Sequence, residues 1–263
     1  MKKRFLIAVA YLMCTIGAAL AQSPQPYPNR PVHLLLHFPP GGSTDLIARI
    51  ISPPLAERLG KPVIVDNRPG AAGIIAAEAT AKAPPDGHTL YMATASSLAH
   101  NPILFAKLPY DPAKDLSPIT LVDTSPFMVA VHPSSPVNSV RELITLVRSK
   151  PGEFSYATGG NASGMHLAGE LFRILAGLKM THVPYKGNGP ALQDLAGGQV
   201  PIAFTDLGST SAFQKSGRIK ILAVASKERT RLAPDIPSAA ESGLPGWEAL
   251  GWFGLVTTGG TPA

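Results

Sequence analysis

Two glycine-rich turns of this chain each lie between an apolar strand pattern and the start of a helical pattern. In the first, a predicted strand at residues 32–38 leads through Pro39-Pro40-Gly41-Gly42 to a helix from Ser43. In the second, a predicted strand at residues 154–158 leads through Gly159-Gly160-Asn161 to a helix from Ser163. The first N–H groups of a helix lack backbone partners and carry partial positive charge, so they attract anions. The pair predicts two lobes that hold a small carboxylate from both sides.

The residue types in these turns suit contact with a carboxylate. Glycines let the backbone approach a ligand closely, and hydroxyl and amide groups donate hydrogen bonds. Asp45 is expected mainly as a helix cap, because its charge would repel a carboxylate. His166, one turn into the second helix, could equally reach the cleft or pack within its lobe. The candidate ligand-binding residues of the two turns are Phe38, Pro39, Gly41, Gly42, Asp45, Thr158, Gly160, Asn161, Ser163 and His166.

Two further polar groups follow predicted strands at residues 89–94 and 180–184. In open α/β sheets, ligands bind outside the carboxyl ends of strands. Each group could also be an ordinary polar loop, and Lys186 could be a solvated surface lysine. The candidates here are Thr94, Ser96, Ser97, Tyr185 and Gly187.

The sequence lacks the motifs of the main enzyme and metal-site classes. G-x-S-x-G is absent, and Ser163 lies one place too late to serve as its nucleophile. The P-loop, the dinucleotide-binding G-x-G-x-x-G and the zinc-binding H-E-x-x-H are also absent. His33, His37 and His182 lie in strand patterns and are expected to be structural. We therefore predict a protein that is not an enzyme and has no cofactor and no metal.

The N-terminus has the pattern of a secretory signal peptide. Basic residues at positions 2–4 precede an apolar run, and Ala19-Leu20-Ala21 supplies a cleavage site. We expect residues 1–21 to be removed after Ala21 and the protein to be periplasmic. Cys14, the single cysteine, would leave with the leader, so no disulfide is expected.

The charge pattern excludes two classes of partner. The net charge is +6, of which three positive charges lie in the leader. The remaining basic residues form no run, so neither nucleic acid nor an anionic membrane surface is an expected partner.

Strand and helix patterns alternate along the rest of the chain, which is typical of mostly parallel sheets flanked by helices. The recurrence of the strand–glycine–helix unit predicts an α/β fold of two lobes. We expect lobe 1 to comprise residues 22–123 and 227–263 and lobe 2 to comprise residues 124–226. Pro53 and Pro54 are expected to kink or interrupt the first helix.

Several fragments resemble the Bug family, the solute-binding components of tripartite tricarboxylate transporters. They are Phe38-Pro39-Pro40-Gly41-Gly42-x-x-Asp45-x-x-Ala48-Arg49, Asn67-Arg68-Pro69-Gly70-Ala71-x-Gly73, Asp86-Gly87-x-Thr89, His166-Leu167-Ala168-Gly169-Glu170, Val183-Pro184-Tyr185-Lys186-Gly187-x-Gly189-Pro190-Ala191 and Pro234-Asp235-Ile236-Pro237. Each fragment alone is weak evidence, whereas their order along the chain is specific.

The resemblance implies a two-lobed periplasmic-binding-protein type II fold of the "Venus flytrap" kind. It implies that a monomer captures a small carboxylate, such as a di- or tricarboxylate or an acidic amino acid, in the interlobe cleft. The partners would be the membrane permease subunits of a tripartite tricarboxylate-type transporter. A sensory protein that signals to a membrane kinase remains an alternative, and a secreted hydrolase a remote one.

The chain departs from the family pattern at four places. His37 replaces a usual proline, and Ala162 replaces a usual glycine, which would be strained if φ there is positive. Asp206 lies one residue later than the usual aspartate, which puts its place in the cleft in doubt, since successive strand residues face opposite ways. The family normally continues beyond Ala263 with further helices, so lobe 1 is expected to lack part of its cover.

Overall fold

The computed structural model describes residues 26–262, which form one nine-stranded sheet system flanked by helices. The strands are β1 (Val32–Leu36), β2 (Val63–Asn67), β3 (Thr89–Thr94), β4 (Leu116–Val131), β5 (Ser155–Thr158), β6 (Thr181–Pro184), β7 (Ile202–Asp206), β8 (Lys220–Val224) and β9 (Leu250–Thr258). The helices are α1 (Ser43–Leu59), α2 (Ile74–Ala81), α3 (Asn101–Leu104), α4 (Val140–Ser149), α5 (Gly164–Leu175), α6 (Asn188–Ala196) and α7 (Leu207–Lys215). The expected signal peptide lies outside the described residues. Within residues 26–262, no helix has the length and apolar character needed to cross a bilayer.

Lobe 1 is built on β2, β1, β3, β9 and the first part of β4. The first three strands are parallel, and β9 runs antiparallel to both of its neighbours. Strand β1 is buried on both faces: Leu34 and Leu36 pack with α1, whereas Leu35 packs on the opposite side with α2. This burial explains why residues 32–36 read as a continuous apolar run rather than an alternating one.

Lobe 2 is built on β6, β5, β7, β8 and the last part of β4. Strands β5, β6 and β7 are parallel, and β4 runs antiparallel to β7 and β8. One face carries Tyr156 and Phe204 under α4 and α5, and the other carries Ala157 and Ala203 under α6. Helices thus cover both faces of the central strands in each lobe, as expected for sheets whose strands run mostly parallel. Ile119 and Leu121 of β4, in lobe 1, are 51% and 62% exposed, which agrees with the expectation that this lobe lacks part of its cover.

The chain passes between the lobes within two adjacent strands. Strand β4 pairs with β9 as far as Pro126 and with β7 from Phe127 onward. The return crossing enters β9 at Leu250, which pairs with Pro126. The two crossings therefore lie side by side, the arrangement required for a hinge between two rigid lobes.

The expected lobe boundary at residue 227 is wrong. Ala239, Leu244 and Trp247 are buried in the core of lobe 2, and residues 227–249 therefore pack on that lobe. The Trp247 ring contacts Phe172 and Phe204 at centroid distances of 5.1 and 5.9 Å. The chain returns to lobe 1 only at β9.

Helix α1 is not interrupted by its two prolines. It runs through Pro53 and Pro54 to Leu59. A proline frees the carbonyl four residues earlier, here those of Arg49 and Ile50, and both of these residues are exposed to solvent. Water can therefore satisfy the freed carbonyls, so the helix continues.

Candidate functional site

The cleft between the lobes contains two adjoining spaces. The larger, which we call the outer chamber, has a volume of about 640 Å³. The smaller, which we call the inner chamber, has a volume of about 50 Å³. Phe38, Pro39, Ser96 and Gly187 border both. The two chambers are therefore neighbours, and the inner one is also bordered by Ser125 of β4 and Trp252 of β9.

Most of the candidate residues predicted from the sequence line these chambers. Those at the outer chamber are Phe38, Pro39, Ser96, Gly160, Asn161, Ser163, Tyr185 and Gly187. Those at the inner chamber are Phe38, Pro39, Gly42, Thr94, Ser96, Gly187 and Asp206. Gly41, Asp45, Ser97, Thr158 and His166 line neither chamber. The residues of this second group stabilise the loops that line the chambers, as described next.

Asp45 holds the first glycine turn in shape. Its carboxylate accepts hydrogen bonds from the Gly41 N–H at 3.2 Å, from Asn67 Nδ2 at 3.2 Å and from Arg49 Nε at 2.9 Å. Burial raises the pKa of Asp45, but these hydrogen bonds outweigh burial and hold the pKa below its usual range. Asp45 is therefore ionised, and its charge is already paired with Arg49. It is not the helix cap that was expected, because the N-cap of α1 is Gly42 and receives no side-chain hydrogen bond.

Thr158 and Ser163 fix the second glycine turn. The Gly160 N–H donates to Thr158 Oγ1 at 3.3 Å, and Ser163 Oγ donates to the Gly160 carbonyl at 2.8 Å. Ser163 is also the N-cap of α5, because its Oγ accepts from the His166 N–H at 3.2 Å. The hydroxyl of Ser163 thus has a structural use, and the G-x-S-x-G-like fragment is not arranged as a nucleophile.

His166 and His182 brace the same turn from within lobe 2. Their rings stack with centroids 4.0 Å apart. His166 Nδ1 accepts from the Ala162 N–H at 3.2 Å, and His182 Nε2 lies 2.7 Å from Thr158 Oγ1. Burial lowers the pKa of both rings, and the neighbouring His166 adds to the effect on His182, whose pKa falls to about 4. Both are therefore neutral supports at pH 7 rather than charged ligand contacts.

His37 ties the first turn to the polar group after β3. Its Nδ1 lies 2.8 Å from Tyr91 Oη, and its Nε2 lies 3.2 Å from Thr94 Oγ1. Burial lowers the pKa of His37 to about 4. Ser97 donates to the Thr94 carbonyl at 3.2 Å and so shapes this segment without facing a chamber.

Asp206 lies in the cleft and joins the two lobes. It ends β7, caps α7 through the Ser209 N–H at 2.9 Å and accepts a hydrogen bond from Ser43 Oγ at the start of α1. Asn188 Nδ2 also donates to it at 2.9 Å. The doubt raised by its one-residue shift is resolved, because the final residue of a strand can turn into the cleft with the following helix.

Sequence reasoning missed several residues of the inner chamber. Ser125 and Phe127 flank the hinge proline of β4, Asn188 opens α6, and Trp252 and Phe253 lie on β9. Only their position at predicted crossings or strand ends could have indicated them. In the part of the chain that the structure describes, no cluster of three or more His, Cys, Asp or Glu side chains could hold a metal ion.

Comparison with known proteins gives a consistent result. The family model "TctC: Tripartite tricarboxylate transporter family receptor" matches residues 47–263. Protein BugT of Bordetella pertussis is 37% identical over 259 residues, which cover 98% of this chain and 79% of that protein.

Two structures solved with a bound acid share the architecture. A protein of R. palustris solved with adipate is 38% identical with a TM-score of 0.88, covering 90% of this chain and 79% of that chain. MatC from Rhodopseudomonas palustris with bound malate is 35% identical with a TM-score of 0.84. The match covers 90% of this chain and 80% of that chain. The expected two-lobed fold is confirmed.

Proposed function

This chain belongs to the tripartite tricarboxylate transporter receptor family and is a periplasmic solute-binding protein, and we propose that it captures a small carboxylate between its two glycine turns. The expected family and the expectation of a non-enzyme are both confirmed by this membership. The observation that supports the ligand class is that both turns border the outer chamber. Pro39 of the first turn and Gly160 and Asn161 of the second line the same space.

The surroundings of the outer chamber suit an anion. The N-terminus of α5 follows the second turn directly, and Gly187, the N-cap of α6, borders the same space. Each helix start contributes partial positive charge, and the exposed Lys186 adds a full one. The paired carboxylate of Asp45 lies behind the first turn and does not line the chamber.

A panel of mono-, di- and tricarboxylates tests this proposal by thermal shift and calorimetry on the mature chain. At least one acid should raise Tm by several degrees at a concentration about 100-fold above Kd, because a ligand that binds only the native state stabilises it. Neutral amides of the same acids serve as controls and should produce no shift. Binding of no acid in the panel would refute the ligand class.

Lys186 provides a sharper test of charge attraction. Lys186→Gln should weaken binding of the identified acid about two- to fivefold at low ionic strength, and the difference should shrink as salt rises. Lys179→Gln is the matched control, since Lys179 is also exposed on lobe 2 but lines neither chamber. Equal effects of the two changes would place the carboxylate away from Lys186.

We also propose export with cleavage after Ala21 and delivery of the captured acid to a membrane permease. The basic, apolar and small-residue pattern of residues 1–21 supports export. Mass spectrometry of the periplasmic protein should give a chain that begins at Gln22. Deletion of the gene should abolish uptake of the bound acid, and unchanged uptake combined with loss of a transcriptional response would favour a sensory role instead.

A further inference from the structure

Two residues that line the inner chamber each carry a buried polar atom whose hydrogen-bonding capacity is not used. Ser125 Oγ and Asn188 Oδ1 have no hydrogen-bond partner among residues 26–262. Both residues line the chamber, with exposed fractions of 6% and 4%. Buried polar atoms without partners are rare in folded proteins, because they lose hydration without compensation. The pair therefore points to a group that enters the chamber from outside.

The hydrogen bonds of Asn188 fix the orientation of its amide. Its Nδ2 donates to Thr205 Oγ1 at 2.6 Å and to Asp206 Oδ2 at 2.9 Å. Both amide hydrogens are thus used, so Oδ1 is an acceptor that requires a donor. Ser125 Oγ, by contrast, can donate one hydrogen bond and accept others.

The charges around the chamber disfavour an ionic group of either sign. Asp206 places a carboxylate at the chamber wall, where it would repel a second carboxylate. The N-termini of α1, α5 and α6 also border the chamber, and their partial positive charges would repel an ammonium group. A neutral polar group meets neither penalty.

The size of the chamber sets a further limit. A volume of about 50 Å³ holds only a few non-hydrogen atoms. Phe127, Met165 and Phe253 contribute apolar walls, which exclude loosely held water. Ser125 and Asn188 are the two lining residues that offer such a group an unused polar atom.

We propose that the inner chamber is a subsite for a hydroxyl group of the ligand, so that the protein selects hydroxycarboxylates over their deoxy counterparts. The hydroxyl donates to Asn188 Oδ1 and accepts from Ser125 Oγ, while the carboxylate remains in the outer chamber. This inference rests on the proposed capture of a carboxylate. A site with unpaired buried groups rejects an analogue that lacks the matching group more strongly than an apolar pocket rejects a missing methylene.

Matched acid pairs test the inference by calorimetry with the mature chain. The pairs are lactate and propionate, malate and succinate, 2-hydroxyglutarate and glutarate, and citrate and tricarballylate, with aspartate as the amino counterpart of malate. In every pair that binds, the hydroxy acid should bind at least about tenfold tighter than the deoxy acid. Ser125→Ala should reduce that preference to about threefold or less, because the alanine cannot donate to the hydroxyl.

Ser117→Ala is the control on the same strand, since Ser117 also lies on β4 but lines neither chamber. It should keep the full preference, and the thermal unfolding of both variants verifies that each is folded. Equal binding within the pairs, tighter binding of aspartate than malate, or an unchanged preference in Ser125→Ala would overturn the hydroxyl subsite while leaving carboxylate capture intact. Failure of every acid to bind would instead refute carboxylate capture, and the subsite with it.

Discussion

At the level of single residues, Ala162 shows how the second glycine turn tolerates a side chain. Its φ is +59°, in the left-handed region that L-residues rarely adopt. The sequence indicated a strained position because a glycine is usual there in the family. The hydrogen bond from its N–H to His166 Nδ1 holds the residue in this conformation. The turn is thus maintained by its neighbours rather than by the intrinsic preference of alanine.

Replacing Ala162 by glycine should stabilise the protein. Removal of the strained Cβ should raise the free energy of unfolding by about 0.5–1 kcal/mol. The greater conformational entropy of glycine in the unfolded chain offsets part of this gain. Urea unfolding measures the change. Ala79→Gly, within α2, is the control and should destabilise by about 1 kcal/mol. Destabilisation by both changes would show that Ala162 carries no strain.

A second prediction at the residue scale concerns His37 and the pH dependence of the free energy of unfolding. Its pKa is about 4 in the folded protein and near 6.5 when unfolded. The unfolded state therefore binds the proton more readily, and stability from this group is full above about pH 6.5 and falls as pH decreases. Between pH 7 and pH 5 the loss should be roughly 2 kcal/mol.

His37→Gln should remove that part of the pH dependence. Urea titrations at several pH values measure the slope, and NMR of the ring protons should show no titration of His37 above about pH 5. His166 and His182 contribute in the same direction, because burial also lowers their pKa values, so the variant should retain part of the slope. Titration of His37 near pH 6.5 in the native protein would contradict its buried, neutral state.

At the level of elements, strands with simple patterns could be predicted and strand β9 could not. The expected strand at residues 89–94 coincides with β3. Strand β9 contains Gly251 and Gly254, which read as turn residues in a sequence. A Cβ at Gly251 would lie 3.0 Å from the Phe127 ring, so the glycine permits close packing beside the hinge.

The same distinction applies to the site. The two glycine turns follow their strands directly in sequence, so periodicity and the position of the glycines were sufficient to predict them. Ser125 and Asn188 are 63 positions apart in the sequence, and they line one chamber only in the folded cleft. Neither carries a local motif, and a sequence without its three-dimensional contacts gives no signal for them.

Substitution of Trp247 tests whether residues 227–249 belong to lobe 2. Its side chain is fully buried, and its Nε1 donates to the Ala168 carbonyl at 2.9 Å. Trp247→Ala should lower the free energy of unfolding by about 3–5 kcal/mol through the cavity and the lost hydrogen bond. Leu250→Ala, at a position 57% exposed, should change it by less than about 0.5 kcal/mol. Hydrogen exchange should show the Trp247 effect mainly in β5 and β7, and an effect confined to lobe 1 would restore the earlier boundary.

At the level of the whole molecule, the lobes meet at the cleft through a small set of polar contacts. Ser43 of lobe 1 donates to Asp206 of lobe 2, and the Ser43 N–H donates to Ser209 Oγ at 3.2 Å. A Cβ at Gly187 would lie 2.8 Å from Pro39, so the backbones of the two lobes also approach closely there. The structure is thus a closed form in which the N-termini of α1 and α7 share one carboxylate.

This contact lies at the wall of the inner chamber and should influence ligand affinity by holding the two lobes together. When the closed form is the one that holds the ligand, the apparent Kd equals the intrinsic Kd divided by the fraction of molecules in the closed form. Ser43→Ala removes the buried, charge-assisted hydrogen bond from Ser43 Oγ to Asp206 and so favours the open form. Affinity for any captured acid should fall about three- to tenfold, by a similar factor for each acid. Small-angle scattering should show a larger radius of gyration for the unliganded variant than for the wild type.

Ser149→Ala, at an exposed position at the end of α4, is the control and should change neither quantity. The expected loss of affinity arises from a shift of the equilibrium between open and closed forms, and it is therefore shared by all captured acids. A Ser43→Ala protein that lost affinity for one acid but retained it for others, with an unchanged radius of gyration, would place Ser43 among the direct ligand contacts and would remove its role in closure.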